Sequence, residues 1–203
     1  KIIYKYDLKK FRNDGYSKEI KLLESDFEKK ERILEAIILN EYRRQIAIKS
    51  KIKQLTNFKP VILFKSKSTI EESKNNFLEF RDIIDNLNLK DIKKIKENTS
   101  NNELINKIFS FFKNEKIDDN QLILLLKRSF SKEKCFFTNE ENLDKKSIKQ
   151  TDLKEISQQV DLLNSLENKN NKIRAIFTVH KLTEGWDVLN LFDIVRLYTG
   201  QTM

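Results

Sequence analysis

Two spacings of apolar residues alternate along the chain. Short runs dense in β-branched and aromatic side chains are separated by longer stretches in which apolar positions recur at helical intervals. KIIYKYDL (1–8) alternates loosely and reads as an edge strand or an extended arm, and NDGYS (13–17) as a turn. One long helix is expected from about Ser25 to Leu55. There Leu34, Ile38, Tyr42 and Ile46 step by four, and Ile48, Ile52 and Leu55 continue the stripe. Ser25 is its expected N-cap, with Glu28 completing a capping box. Pro60 ends that region, and VILF (61–64) has the unbroken apolar character of a buried strand. KSKS turns the chain. Ser68 and Glu71 then form a second capping box, opening a helix to about Leu87 that buries Ile70, Phe77, Phe80, Ile84 and Leu87. Residues 90–133, with the amphipathic runs ELINKIFSFF and QLILLLKRSF, predict a helical insertion. KCFFTN (134–139) returns to the sheet and ENLDKKSIKQ is loop. A helix capped by Asp152 and Glu155 runs through Leu166, and IRAIFTV (173–179) and DIVRLY (193–198) are strands. Strands alternating with helices predict an α/β fold around a parallel sheet.

Composition narrows this picture. A chain of 203 residues suits one domain, or one domain with an insertion. Hydrophobic residues at 38% are enough for a core and argue against global disorder, and only three Gly and one Pro favour helices. A single Cys excludes an internal disulfide and a cysteine-based zinc site; Cys135, in the apolar KCFFTN, reads as a small buried hydrophobe. No signal peptide and no apolar run long enough to cross a membrane is present, so a cytoplasmic setting is expected. The first residue is Lys rather than Met, and the chain reads as an excerpt from something longer.

Charge adds a candidate partner. The formal net charge of +9 fits either a solvated Lys-rich surface or a polyanion partner, nucleic acid above all. Its distribution is uneven. From Tyr42 through Ile70 there is no acidic residue, while Arg43, Arg44, Lys49, Lys51, Lys53, Lys59, Lys65 and Lys67 fall inside that window. Such a stretch either tracks phosphates or forms a solvated helix face.

The densest candidate chemistry is FTVHKLTEGWDVLNLFDIVRLY (177–198), which holds the only His, the only Trp and one of the three Gly. Ligands of parallel α/β sheets sit beyond the C-terminal ends of strands. The strand ends near Val179, so HKLTEGWD is positioned to face one. Gly185 permits a positive φ or a close backbone approach. Asp187 can accept hydrogen bonds from sugar hydroxyls, as acidic residues do in other nucleotide folds. The alternative is a plain turn with Trp186 and Val188 as core plugs. His180 alone makes no metal site, and no catalytic triad or metal-ligand cluster is apparent.

This stretch resembles motif V of superfamily 2 helicases, in the form found in the helicase (Res) subunit of type III restriction enzymes. There an apolar strand leads into Leu-x-Glu-Gly-Trp-Asp-Val, then Asn, then a second strand. Here these are Leu182, Glu184, Gly185, Trp186, Asp187, Val188 and Asn190, followed by Ile194 and Leu197. PVILFKSKSTIEESKNNFLEF (60–80) is similar to that family's motif IV. The resemblance implies a second RecA-like domain over residues 58–203, with 1–57 packed on it as an arm and a long helix. It implies that Glu184, Gly185 and Asp187 face ATP held by the first RecA-like domain of the same polypeptide. It implies that Thr178, His180 and Lys181, together with Lys65, Ser66 and Lys67 of the motif IV turn, lie towards the backbone of double-stranded DNA. The chain departs from many relatives in carrying Val179 and His180 where a Thr-Asp pair is usual. A modification (methyltransferase) subunit is the further partner the resemblance implies; no membrane is.

Several parts of a complete motor are absent from the sequence. There is no Gly-x-x-x-x-Gly-Lys-Ser/Thr phosphate cradle, no Asp-Glu pair for Mg2+, and no nuclease signature. The Arg finger of motif VI is expected beyond Met203. Phosphoryl transfer depends on those charges. The segment is therefore expected to hold no catalytic residue and no metal ligand, and to act in hydrolysis with ATP and Mg2+ only within the full-length enzyme. Two other readings remain: a non-enzymatic basic α/β interaction module, and a different superfamily 2 motor of the type I restriction or repair class.

Overall fold

The computed structural model describes residues 27–55, 57–138, 161–179 and 188–198, together with Lys10, Asn13 and Asp14. The expected arm (1–8), the capping residue Ser25, the loop 141–150 and the helix start at 152–160 lie outside these residues.

Among the described residues four strands make one all-parallel sheet. They are β1 (Val61–Lys65), β2 (Cys135–Phe137), β3 (Ala175–Thr178) and β4 (Leu191–Arg196), in the order β2-β3-β1-β4. The expected RecA-like α/β arrangement is present: a parallel sheet with helices around it. β1 lies between β3 and β4, which is why VILF carries no polar alternation. Its side chains divide between two cores. Ile62 and Phe64, with Ala175 and Phe177 of β3, enter the larger one; Val61 and Leu63, with Ile176, enter the smaller one on the opposite face.

Five helices are described in full: α1 (Lys29–Lys49), α2 (Ile70–Asp85), α3 (Leu89–Asn98), α4 (Glu103–Asn114) and α5 (Asp119–Ser129). Residues 161–164 are also helical, and Leu166 anchors the smaller core. Helices α3 to α5 are the predicted insertion. Their Ile92, Ile105, Ile108 and Leu126 are fully or almost fully buried, in the same cluster as Ile33, Ile37 and Ile38 of α1 and Phe64 of β1. The insertion therefore covers the outer side of α1, which is buried almost all round. Aromatic rings knit α2 to the sheet: Phe64 stacks on Phe177 at 4.8 Å, and Phe80 meets Phe177 edge-on at 5.1 Å.

Three expectations about helix ends are corrected. The long helix does not run from 25 to 55. It ends at Lys49, because Lys51 turns to φ 58 in the left-handed region, and a separate 3-10 turn spans Lys53–Leu55. Its start is capped by Glu28, whose side chain makes no cap bond, rather than by Ser25 with Glu28 inside the helix. Ile46, Ile48 and Ile52, read as part of the buried stripe, are 40%, 38% and 49% exposed. In α2 the cap is Thr69, accepting the Glu72 amide at 3.1 Å, instead of the Ser68–Glu71 pair. Glu72 then reaches back further than a capping box does, to the amides of Lys67 and Ser68 at 3.2 and 3.1 Å.

Candidate nucleotide and nucleic-acid face

The C-terminal ends of β1, β2 and β3 meet at Ser66, Thr138 and Thr178. The Ser66 amide donates to the Thr178 carbonyl at 2.9 Å, and the Thr138 amide to the Phe177 carbonyl at 2.9 Å. The side chains join too. The Thr138 hydroxyl donates to the Thr178 hydroxyl at 3.2 Å, and the Asn76 amide of α2 donates to the Ser66 hydroxyl at 2.6 Å. Ser66 and Thr178 are both 0% exposed. Two candidate phosphate ligands are thus turned inward and hold the strand ends together. Lys65 is half-buried and Lys67 is exposed. The amides of the turn are already bonded to the Glu72 carboxylate. A phosphate at this rim would meet the two lysine side chains, with Glu72 occupying the amides behind them.

Helix α1 runs antiparallel to the strands. Arg32 donates to the Arg196 carbonyl at the C-terminal end of β4, at 3.2 Å, while Asn40 donates to Asp193 nearer its start, at 2.9 Å. The positive end of this helix therefore lies beside the rim. There Lys29 bonds Asn76, the residue that holds Ser66, and pairs with Glu79.

Glu184, Gly185, Trp186, Asp187, His180 and Lys181 lie outside the described residues. Val179 is buried just past β3. On the far side, Val188 packs on the smaller core, in keeping with its reading as a core plug. Asn190, named in the sequence only as a motif position, is a structural tie: its side-chain amide donates to the Leu166 carbonyl at 2.8 Å and its carbonyl accepts the Val61 amide at 2.7 Å. β3 ends at Thr178 and β4 begins at Leu191; both are parallel to β1 and lie on either side of it.

The opposite, N-terminal edge of the sheet holds a buried polar network that the sequence did not announce. Arg174 is 3% exposed. Its guanidinium donates to the Pro60 carbonyl at 2.9 Å and to Asn40 at 2.7 Å, pairs with Glu41 at 3.4 Å, and lies 5.0 Å from the Phe130 ring centroid. Glu41, wholly buried, also accepts from Arg44 at 3.0 Å and Gln45 at 2.7 Å. Burial pulls the Arg174 guanidinium down to about 10, against the upward pull of Glu41. Burial, reinforced by repulsion from Arg174, lowers the Lys59 ammonium to about 8; its donor bond goes to the Asn171 carbonyl. A charged residue inside the apolar run IRAIFTV was the available signal, since a buried guanidinium requires acceptors.

This network also answers the question raised by the acid-free window. Arg43 pairs with Asp193, Arg44 with Glu41, and Lys49 with Glu115. These cations, and Lys59, serve the fold. Cys135 is buried, bonds the Phe130 carbonyl and has its thiol pushed up to about 12, as expected of an inert core residue. No helix among the described residues is long and apolar enough to cross a membrane, and no metal-binding group of His, Cys, Asp or Glu occurs among them.

No protein-family model matches the chain, and no solved structure does. A curated protein of Haemophilus influenzae, named "Probable type III restriction-modification enzyme HindVIP Res subunit", is 43% identical over 212 aligned positions. That alignment takes in 99% of this chain and 40% of the relative, so the chain spans about two-fifths of the relative's length. Over almost its whole length, then, the chain is similar to a part of the Res subunit of a type III restriction-modification enzyme.

Proposed function

We propose that this chain is the second RecA-like half of an ATP-dependent DNA translocase, with residues 58–203 forming the motor domain and 1–57 packed on it. The observation that carries this reading is topological. In sequence, residues 180–187 come after the C-terminal end of β3 and before a parallel β4, with β1 between the two strands. That is the sheet edge where α/β folds present groups to nucleotides. Glu184, Gly185 and Asp187 then complete the site of an ATP and Mg2+ bound by the first RecA-like domain, Asp187 accepting from the ribose. Lys65, Lys67 and Lys181 supply positive charge, and His180 a hydrogen bond, towards the phosphates of duplex DNA. Ser66 and Thr178 align the strand ends that carry them. Cleavage and site recognition belong to the remainder of the enzyme and to a modification subunit, in the cytoplasm.

The test is Asp187→Ala in the full-length enzyme, measured as DNA-stimulated ATP hydrolysis. Losing a hydrogen bond from a carboxylate should cost about 1.5–3 kcal/mol, or about tenfold and more in kcat/KM. Unchanged turnover and KM for ATP would remove Asp187 from the site.

A further inference from the structure

The helical insertion carries a groove that the reading above does not use. It is open to solvent, has a volume of about 930 Å³, and lies between the end of α3, the second half of α4 and the start of α5. One wall is the Phe109 ring, partly buried against the larger core, with the Lys96 ammonium 4.9 Å from its centroid. The carboxylates around the groove are engaged. Asp118 accepts the Gln121 amide at 2.8 Å as the N-cap of α5, and Asp119 holds Lys96 at 2.6 and 2.8 Å. Glu115, between the two free lysines in sequence, is drawn away to Lys49 at 2.6 Å.

Lys113 and Lys116 line the same groove, are exposed, and make no side-chain hydrogen bond or ion pair among the described residues. Lys116 stands at φ 59, in the left-handed region where Gly or Asn is the less strained choice. A long cation is thus held at a position the backbone would give to a smaller residue. Both lysines complement the C-terminal end of the α4 dipole, but that role does not need them to line a groove.

We propose that this groove binds the sugar-phosphate backbone of a nucleic-acid strand, through Lys113 and Lys116, with Phe109 as the apolar wall against a sugar or base. Charge complementarity selects the occupant. Asp119 is paired with Lys96 and Asp118 is turned to the Gln121 amide of α5, so the three ammonium groups of the lining outnumber its two carboxylates, and Lys113 and Lys116 have no acidic partner among the described residues. An apolar protein surface closing over them would bury two charges without partners. A phosphate run pairs them while leaving them wet. The contact is separate from Lys65 and Lys67 at the sheet rim and places the insertion on the DNA path.

The test is lysine-acetylation footprinting of the complete polypeptide that contains this chain, with a short DNA duplex or single strand added at low salt. Lys113 and Lys116 lose reactivity on adding DNA, whereas Lys107, exposed on the same helix outside the groove, does not. K113E/K116E lowers affinity and reduces the salt slope of binding by about two units, roughly one per lysine, while K107E leaves it unchanged. Unaltered reactivity and slope, with Lys65 and Lys67 protected, overturns the groove and leaves the rim reading standing. Protection at Lys113 and Lys116 alone supports the groove and removes the rim. Protection by the modification subunit without DNA makes the groove a protein-docking site and overturns the proposal.

Discussion

Arg174 enters the core with a charge that has to be met on every side, and Asn40, Glu41, Pro60 and Phe130 meet it. Such a knot is sensitive to being half-undone. Arg174→Met leaves the fully buried Glu41 carboxylate to Arg44 and Gln45 alone, and should cost about 3 kcal/mol in urea unfolding. Glu41→Leu with Arg174→Met removes both charges. That double variant should be no less stable than Arg174→Met, giving a coupling of about 1–3 kcal/mol. Additive losses would mean that the two side chains do not support one another. The same residues matter for the candidate site by position. Arg174 directly precedes β3 and Asp193 lies in β4, so a single turn of α1, Asn40 to Arg43, grips both strands that flank 180–187 in sequence.

Element ends, more than element interiors, separated expectation from structure. VILF read as a strand because β1 is buried on both faces, and the insertion read as helical because its apolar residues keep helical spacing. The ends carry weaker signals. STIEES offers two overlapping caps, Ser68 with Glu71 and Thr69 with Glu72, and only the turn that brings the Lys67 and Ser68 amides onto Glu72 selects the second. At the end of α1 the apolar stripe runs on through KSKIK without Gly or Pro, so nothing in the sequence marks the break at Lys51. The rim of the sheet was legible from the alternation of strands with helices, which implies a parallel sheet, and from the acid-free turn. The inward aim of Ser66 and Thr178 was not, because it depends on Asn76 and Thr138 from other elements. The break at Lys51 gives its own prediction. A side chain at φ 58 costs about 1–2 kcal/mol, and glycine relieves this while losing some unfolded-state entropy. Lys51→Gly should therefore raise stability by about 0.5–1 kcal/mol in urea, whereas Lys53→Gly, in the 3-10 turn, should lower it.

One core joins the sheet, α1, α2 and the insertion, and that decides how the whole molecule unfolds. The ion pairs between α1 and the insertion are Lys30–Asp91, Lys49–Glu115 and Lys94–Glu31. Each has a lysine side chain about half-exposed, so solvent and salt screen these pairs and they add little. By contrast Ile92, Ile105, Ile108 and Leu126 are almost wholly buried, each worth about 1.5–3 kcal/mol. Packing therefore holds the insertion, and it packs on residues that also cover β1. A mutation in the insertion should then be felt at the sheet. Ile108→Ala, far from the rim in sequence, should lower global stability by about 2–5 kcal/mol. The loss should be the same when read by far-UV circular dichroism and by amide exchange at Ile62 and Phe64 of β1. Raising the salt concentration should leave that loss unchanged, because no charge is involved. Two separate transitions, with β1 protected after the insertion has melted, would show that the insertion is an independent unit resting on the sheet.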